Sequence, residues 1–244
     1  MRLKCLCMGL LFVVVHVSYA QPLPPADEIL DKSIAYHDPD GNWYNLNHEI
    51  DLLSRRPNGA DRASTILLSH ANAQFGMKMK RDGKDIESLL MQSGDCKASI
   101  DGSADISEED REKYRLSCEG ITRWRDYHGY MLGMPMNLRD PGTILDPTAK
   151  SVEFEGRQVI SLKVTYTEEV GADTWYFYLD PESYALIGCR FYHDESKNDG
   201  EFLTFEGEAS YGSIILPQTR KWYYNNNREF LGEDEIAALR NVGS

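Results

Sequence analysis

The stretch from Phe191 to Phe202 reads FYHDESKNDGEF and concentrates one imidazole and four carboxylates in a dozen residues. If it is a hairpin in which Glu195 faces Glu201, two carboxylates stand directly opposite each other. Like charges at that distance raise one pKa, and a cation or a shared proton relieves the repulsion. His193, Glu195 and Glu201 would then make a weak Ca²⁺ site, or the proton-handling pair of a metal-dependent hydrolase. The plainer reading is a solvated hairpin tip turning at Asn198-Asp199-Gly200. Charges at a rim cost little in water, and this is the reading we prefer.

Little else in the chain suggests a reaction. There is no Gly-x-Ser-x-Gly, no His-Glu-x-x-His, and no Walker or dinucleotide glycine loop. His37, His48, His70, His128 and His193 occur singly, without metal-ligand spacing on a shared element. Asp38-Pro39-Asp40-Gly41-Asn42 has the acids of a calcium loop but lacks its downstream bidentate acid, so it reads as a turn. No cofactor and no catalytic or metal-ligating residue is assigned.

The elements that must position these residues begin after residue 20. Arg2 and Lys4 precede a short apolar run, Met8 to Val17, and Ser18-Tyr19-Ala20 presents small residues before a cut at Gln21. That is the pattern of a secretory signal peptide, so residues 1–20 are expected to be removed and 21–244 to form one globular domain. Export places the protein in the periplasm or outside the cell. Cleavage removes two cations and no acid, taking the net charge from −13 to −15. Such a chain is poorly suited to nucleic acid or an anionic membrane surface. No second apolar segment is long enough to span a bilayer.

Asp27 and Glu28 open a short helix that Pro39 ends. Strand-like runs follow between Trp43 and Ile100. Ser107-Glu108-Glu109-Asp110 resembles a capping box, and one long helix is expected to about Met131, bending at Gly120 or Gly129. From Ile160 onward the period changes to two. Short turns separate strands at Thr174–Leu179, Ala185–His193, Phe202–Ser210 and Ile214–Tyr224. Phe230–Ile236 adds a further strand, although Glu233–Arg240 also fits a helix. The fold class is therefore α+β and mainly β. A large curved antiparallel sheet, an open or half barrel, wraps one long and one short helix.

Turn lengths suggest pairing Phe191 with Phe205, Phe177 with Ile187 and Trp175 with Cys189. This puts Trp175, Phe177, Leu179, Ile187, Cys189, Phe191, Leu203 and Phe205 on one face. Tyr176, Tyr178, Leu186, Arg190, Tyr192 and Thr204 fall on the other. Most such aromatics are core. An apolar cavity against Trp175, Phe177, Phe191, Phe205, Trp222 and Tyr224 is the functional alternative. Cys96, Cys118 and Cys189 remain after export. Cys96–Cys118 is the natural bridge, and three buried thiols are the other reading.

The runs Asp173–Tyr184, Phe191–Glu195, Asn198–Glu201, Arg220–Tyr224 and Phe230–Gly232 resemble an exported family of unknown function of the Bacteroidota type, as do Tyr36–Pro39 and Gly133–Met136. That family carries no assigned catalytic residues. Its layout is similar to periplasmic lipoprotein-carrier (Lol-type) half-barrels, which implies an apolar cavity around helices. The resulting expectation is non-catalytic carriage of a lipid, acyl chain or other apolar small molecule. The alternatives are the hydrolase above, or an envelope protein docking through Tyr176, Tyr178 and Tyr192.

Overall fold

The computed structural model describes residues 22–45 and 47–242. The segment read as a signal peptide, residues 1–20, lies outside the described residues. Among these residues, no helix is long and apolar enough to cross a membrane.

Thirteen strands form one antiparallel sheet. Strands β1 (Asn47–Arg55), β2 (Arg62–Ser69), β3 (Gln74–Arg81), β4 (Lys84–Leu90) and β5 (Cys96–Ile100) run outward as a meander. Strands β6 (Thr143–Leu145), β7 (Lys150–Phe154), β8 (Arg157–Tyr166), β9 (Thr174–Leu179), β10 (Leu186–Tyr192), β11 (Glu201–Tyr211), β12 (Ile214–Tyr224) and β13 (Phe230–Asn241) complete it. The first and last strands pair at the centre, joining the two halves. That pairing explains why the tail is a strand throughout rather than a helix. A helix there would leave the β1 edge without backbone partners, and Arg240 bridges to Glu49 and Asp51 across the pair.

The sheet's inner face is covered by helices α1 (Ala26–His37) and α3 (Cys118–Gly133), and the short α2 (Glu108–Lys113), which buries none of its residues, precedes α3. The single long helix expected from the sequence is two helices. Arg115 adopts a left-handed φ of 56°, and Ser117 recaps the chain by accepting from Gly120 N. The break therefore precedes both glycines. Gly120 lets α3 start against that turn, since a Cβ there would lie 2.5 Å from the Arg115 carbonyl oxygen. A disulfide joins Cys96 on β5 to Cys118 at the start of α3, and Cys189 is a buried free thiol.

Two cores lie between sheet and helices. One gathers Ile50, Ile66, Phe75 and Ile86 under Tyr114, Leu116 and Ile121. The other gathers Leu162, Phe177, Cys189 and Leu203 under Ile29, Leu30 and Met131. At the last turn of α1, His37 crosses into the sheet. Its Nδ1 donates to the Ile215 carbonyl (2.6 Å), and Nε2 accepts from Leu186 N (2.9 Å).

The register differs from the expected one by even steps. Phe191 pairs with Trp175 and Glu201, and Cys189 with Phe177 and Leu203. Even slips preserve the faces. The exception is a register shift between Leu186 and Gly188, which turns Leu186 inward and Ile187 outward. The outer face is also less solvated than its tyrosines suggested. The β7–β8 hairpin folds Phe154 over Tyr178 (ring centroids 4.0 Å) beside Phe202, making a third, outer core. Gly188 lies beneath this layer, where a Cβ would come within 2.6 Å of the Leu203 carbonyl and 2.5 Å of the Phe154 ring. Gly188→Ala is expected to destabilise by about 1–3 kcal/mol through overpacking, read as a lower urea midpoint.

Candidate functional site

The FYHDESKNDGEF hairpin does not bring its three candidate residues together. Glu201 pairs with Phe191 rather than Glu195, and Glu195 opens a 3-10 turn. The cause is Asp199, whose Oδ1 accepts from the backbone N–H of both His193 (2.9 Å) and Asp194 (2.8 Å). This curls the tip before strand pairing can extend. Asn225 fixes the curl by donating to the carbonyls of Phe191 and Asp199.

Glu195 accepts from the Tyr176 hydroxyl (2.5 Å) and Lys163 Nζ (3.2 Å) on the outer side. Those two bonds, Tyr176 first, hold its carboxyl below the usual range. His193 sits on the inner rim, 2.7 Å from the Asp173 carboxylate, which raises its pKa. Glu201 is half-buried on the inner side, and burial pushes its carboxyl up. Among the described residues, no three His, Cys, Asp or Glu side chains are grouped to hold a metal ion.

The six expected lining aromatics occupy consecutive rows of the inner face. One row runs Val164, Trp175, Phe191, Glu201, Tyr224. Its neighbour runs Leu162, Phe177, Cys189, Leu203, Trp222. Trp175 stacks on Phe191 (4.8 Å), and Tyr130 of α3 meets it edge-on (5.1 Å). Phe177 and Phe205 are buried core residues. Trp175, Phe191 and Trp222 are half-buried, and Tyr224 is exposed. Helices α1 and α3 therefore fill this face in the closed molecule. Of the outer tyrosines, Tyr178 is buried, while Tyr176 and Tyr192 remain half-buried.

In the adjacent row sequence reasoning singled out only Phe205, and the rest of that row is polar. Phe205, Arg220, Asp234, Ser54 and Arg62 face one another in turn across β11, β12, β13, β1 and β2. Tyr127, His128, Met131 and Leu132 of α3 close over it, leaving a cavity of about 20 Å³. Arg220 is 3% exposed; its Nε donates to the Met131 carbonyl (3.3 Å) and its Nη1 to the Pro217 carbonyl (2.9 Å). The Asp234 carboxylate accepts from Trp222 Nε1 and Arg56 Nη2, each at 3.2 Å. Arg62 reaches only Ser54 Oγ, at 3.5 Å, and its Nε is buried without a partner. Neither Arg62 nor Arg220 makes an ion pair among the described residues.

Burial disfavours every cation in this row. It pushes Arg220 down to about 10 and His128 down to about 4, and it lowers Arg62 as well. His128 is stacked between Phe75 and Trp124. A signal for the row was present in β12. Ile214, Leu216, Arg220 and Trp222 share one parity, so an arginine lies on the apolar face. Asp234 was hidden by the helix-or-strand ambiguity of the tail.

The fold resembles two solved structures. One is a LolA superfamily protein from Nitrosomonas europaea, at 10% identity and a TM-score of 0.51, covering 91% of this chain and 96% of that one. The other is a putative outer membrane lipoprotein-sorting protein domain from Vibrio parahaemolyticus, at 14% identity and a TM-score of 0.50, covering 90% and 94%. At these identities the likeness is one of fold. No curated protein matches the chain. Residues 5–237 do match the model of a family of unknown function, DUF6503, and the chain belongs to that family.

Proposed function

We propose that the protein carries an apolar ligand, a lipid or acyl chain, between the inner sheet face and α3, and does no chemistry on it. The observation that carries this reading is the poor quality of α3 as a permanent cover. The helix buries Gly120, Ile121, His128, Met131, Leu132 and Gly133, so only three of its buried side chains are large and apolar. The seam beneath it leaves Trp124 Nε1, Ser88 Oγ and Arg62 Nε without partners. Each such group costs about 1–3 kcal/mol while buried. Lifting α3 into water recovers that cost and offsets part of the apolar exposure. An acyl chain entering below it would meet Trp175, Phe177, Phe191, Phe205, Trp222 and Tyr224. The likeness to lipoprotein-sorting folds supports the same reading as analogy. We further read residues 1–20 as an export signal, so the carrier would be one domain acting in the periplasm or outside the cell.

Protein expressed with its leader and purified from the exported fraction is expected to release an acyl lipid on organic extraction. Native mass spectrometry should show the matching bound mass. A chain that extracts empty and, once stripped, takes up no acyl probe would overturn the proposal.

A further inference from the structure

We infer that the carried ligand is an anionic amphiphile whose carboxylate or phosphate head group is received by Arg62 and Arg220. This rests on the carrier reading and narrows its ligand class. The two guanidiniums stand on the strands that flank the β13–β1 pair, Arg220 on β12 and Arg62 on β2, in one row with Asp234 and Ser54 between them. Asp234 is the row's one carboxylate, and its oxygens are already engaged by Arg56 and Trp222. Arg62 and Arg220 are left with neutral oxygens only. Arg220 is buried and Arg62 is half-buried with its Nε unpartnered; buried arginines are rare unless paired, and an uncompensated ion in the interior costs several kcal/mol. A guanidinium fork is matched in shape by a planar carboxylate or by two phosphate oxygens.

The surroundings suit an amphiphile rather than a free ion. The polar cavity is roofed by Tyr127, whose ring lies parallel to Trp222 at 6.5 Å. Its other walls include Leu52, Met131 and Leu132, and Trp222 belongs to the aromatic row beside it. A head group at the arginines therefore places its chain against apolar side chains. The closed cavity suits about one water molecule, so the head group enters only as Tyr127 and Met131 move with α3.

The test measures binding to delipidated full-length protein by tryptophan fluorescence, below the micellar range. Probes are palmitate, hexadecyl phosphate, hexadecanol, acetate and inorganic phosphate. Palmitate or hexadecyl phosphate should bind about tenfold or more tightly than hexadecanol, the value of one charge-assisted contact. Arg62→Gln, with Arg220 still in place, should shrink that preference several-fold, and a preference that stays at the wild-type value would overturn the assignment of Arg62. The wild-type comparison stands even if Arg220→Gln fails to fold. Equal binding of hexadecanol would overturn the anion assignment and leave the carrier reading intact. Binding of none of the three chains would remove both. Acetate or phosphate binding as tightly as the chains would overturn the amphiphile in favour of a bare ion site.

Discussion

Between pH 6.5 and pH 5 the protein is expected to lose about 2 kcal/mol of folding stability through His128 alone. Burial holds the folded-state pKa of this residue near 4, whereas an unfolded histidine titrates near 6.5. Above that value His128 is neutral in both states and the contribution is constant. As the pH falls below it, the unfolded chain binds the proton first, so folding weakens. The loss continues until the folded state is also protonated near pH 4, and totals about 3 kcal/mol. Burial, the largest cause, sets that direction. Of the charged groups facing His128, the Asp234 carboxylate favours the proton, while Arg62 and Arg220 oppose it.

His37, His48 and His70 also have pKa values lowered by burial, so they add to the same acid limb. For His37 one hydrogen bond acts in the same direction as burial. A proton on Nε2 would confront the Leu186 N–H that it now accepts. His193 has the opposite sign, because Asp173 raises its pKa. Its stability contribution is present below the unfolded pKa and lost as pH rises through the folded one. With the His193 side chain 63% exposed, that contribution is small. Urea midpoints at pH 7.5, 6.5 and 5 would measure the limb. His128→Phe keeps the stack on Phe75 and Trp124 and should flatten the slope by about 2 kcal/mol. An unchanged slope would show that His128 is not the group being titrated.

What could be read from sequence divides along physical lines. The second half was legible because strands Thr174–Leu179 and Ile214–Tyr224 are bounded by short turns and alternate at period two. Faces survived errors in register because the slips at Phe191 and Cys189 were even. Leu186 and Ile187 exchanged faces because a bulge leaves no composition signal. Glu195 and Glu201 were separated by Asp199, whose side chain takes two backbone donors at the tip. The β13 strand depended on a partner almost two hundred residues away, which periodicity within one segment cannot reveal. The polar row needed that strand in place before Arg220, Asp234, Ser54 and Arg62 could be seen to face one another.

Removing the Cys96–Cys118 bridge, as Cys96→Ser with Cys118→Ser, is expected to cost about 3 kcal/mol of stability. The two cysteines are 22 positions apart in sequence, and the bridge denies that loop its freedom in the unfolded chain. The effect should be local in the folded state. The bridge ties the first residue of α3 to β5, which is an edge strand of the sheet and, among the described residues, pairs with β4 alone. The other end of α3 has no covalent tie and is held by hydrogen bonds, from Arg220 Nε to the Met131 carbonyl at 3.3 Å and between the Tyr130 and Tyr166 hydroxyls at 2.6 Å. With the covalent tie gone, α3 and β5 should exchange their amide hydrogens faster, while β8 to β11 keep the protection of the core around Phe177 and Cys189. Cys189 does not take over the pairing, because burial raises its thiol pKa and keeps it unreactive. If α3 works as the movable cover of a ligand chamber, the double variant should also exchange bound acyl probe faster than wild type. Unchanged hydrogen exchange in α3 would show that the bridge does not hold the helix down. Faster exchange in α3 without faster release of probe would show that ligand leaves by a route that this helix does not cover.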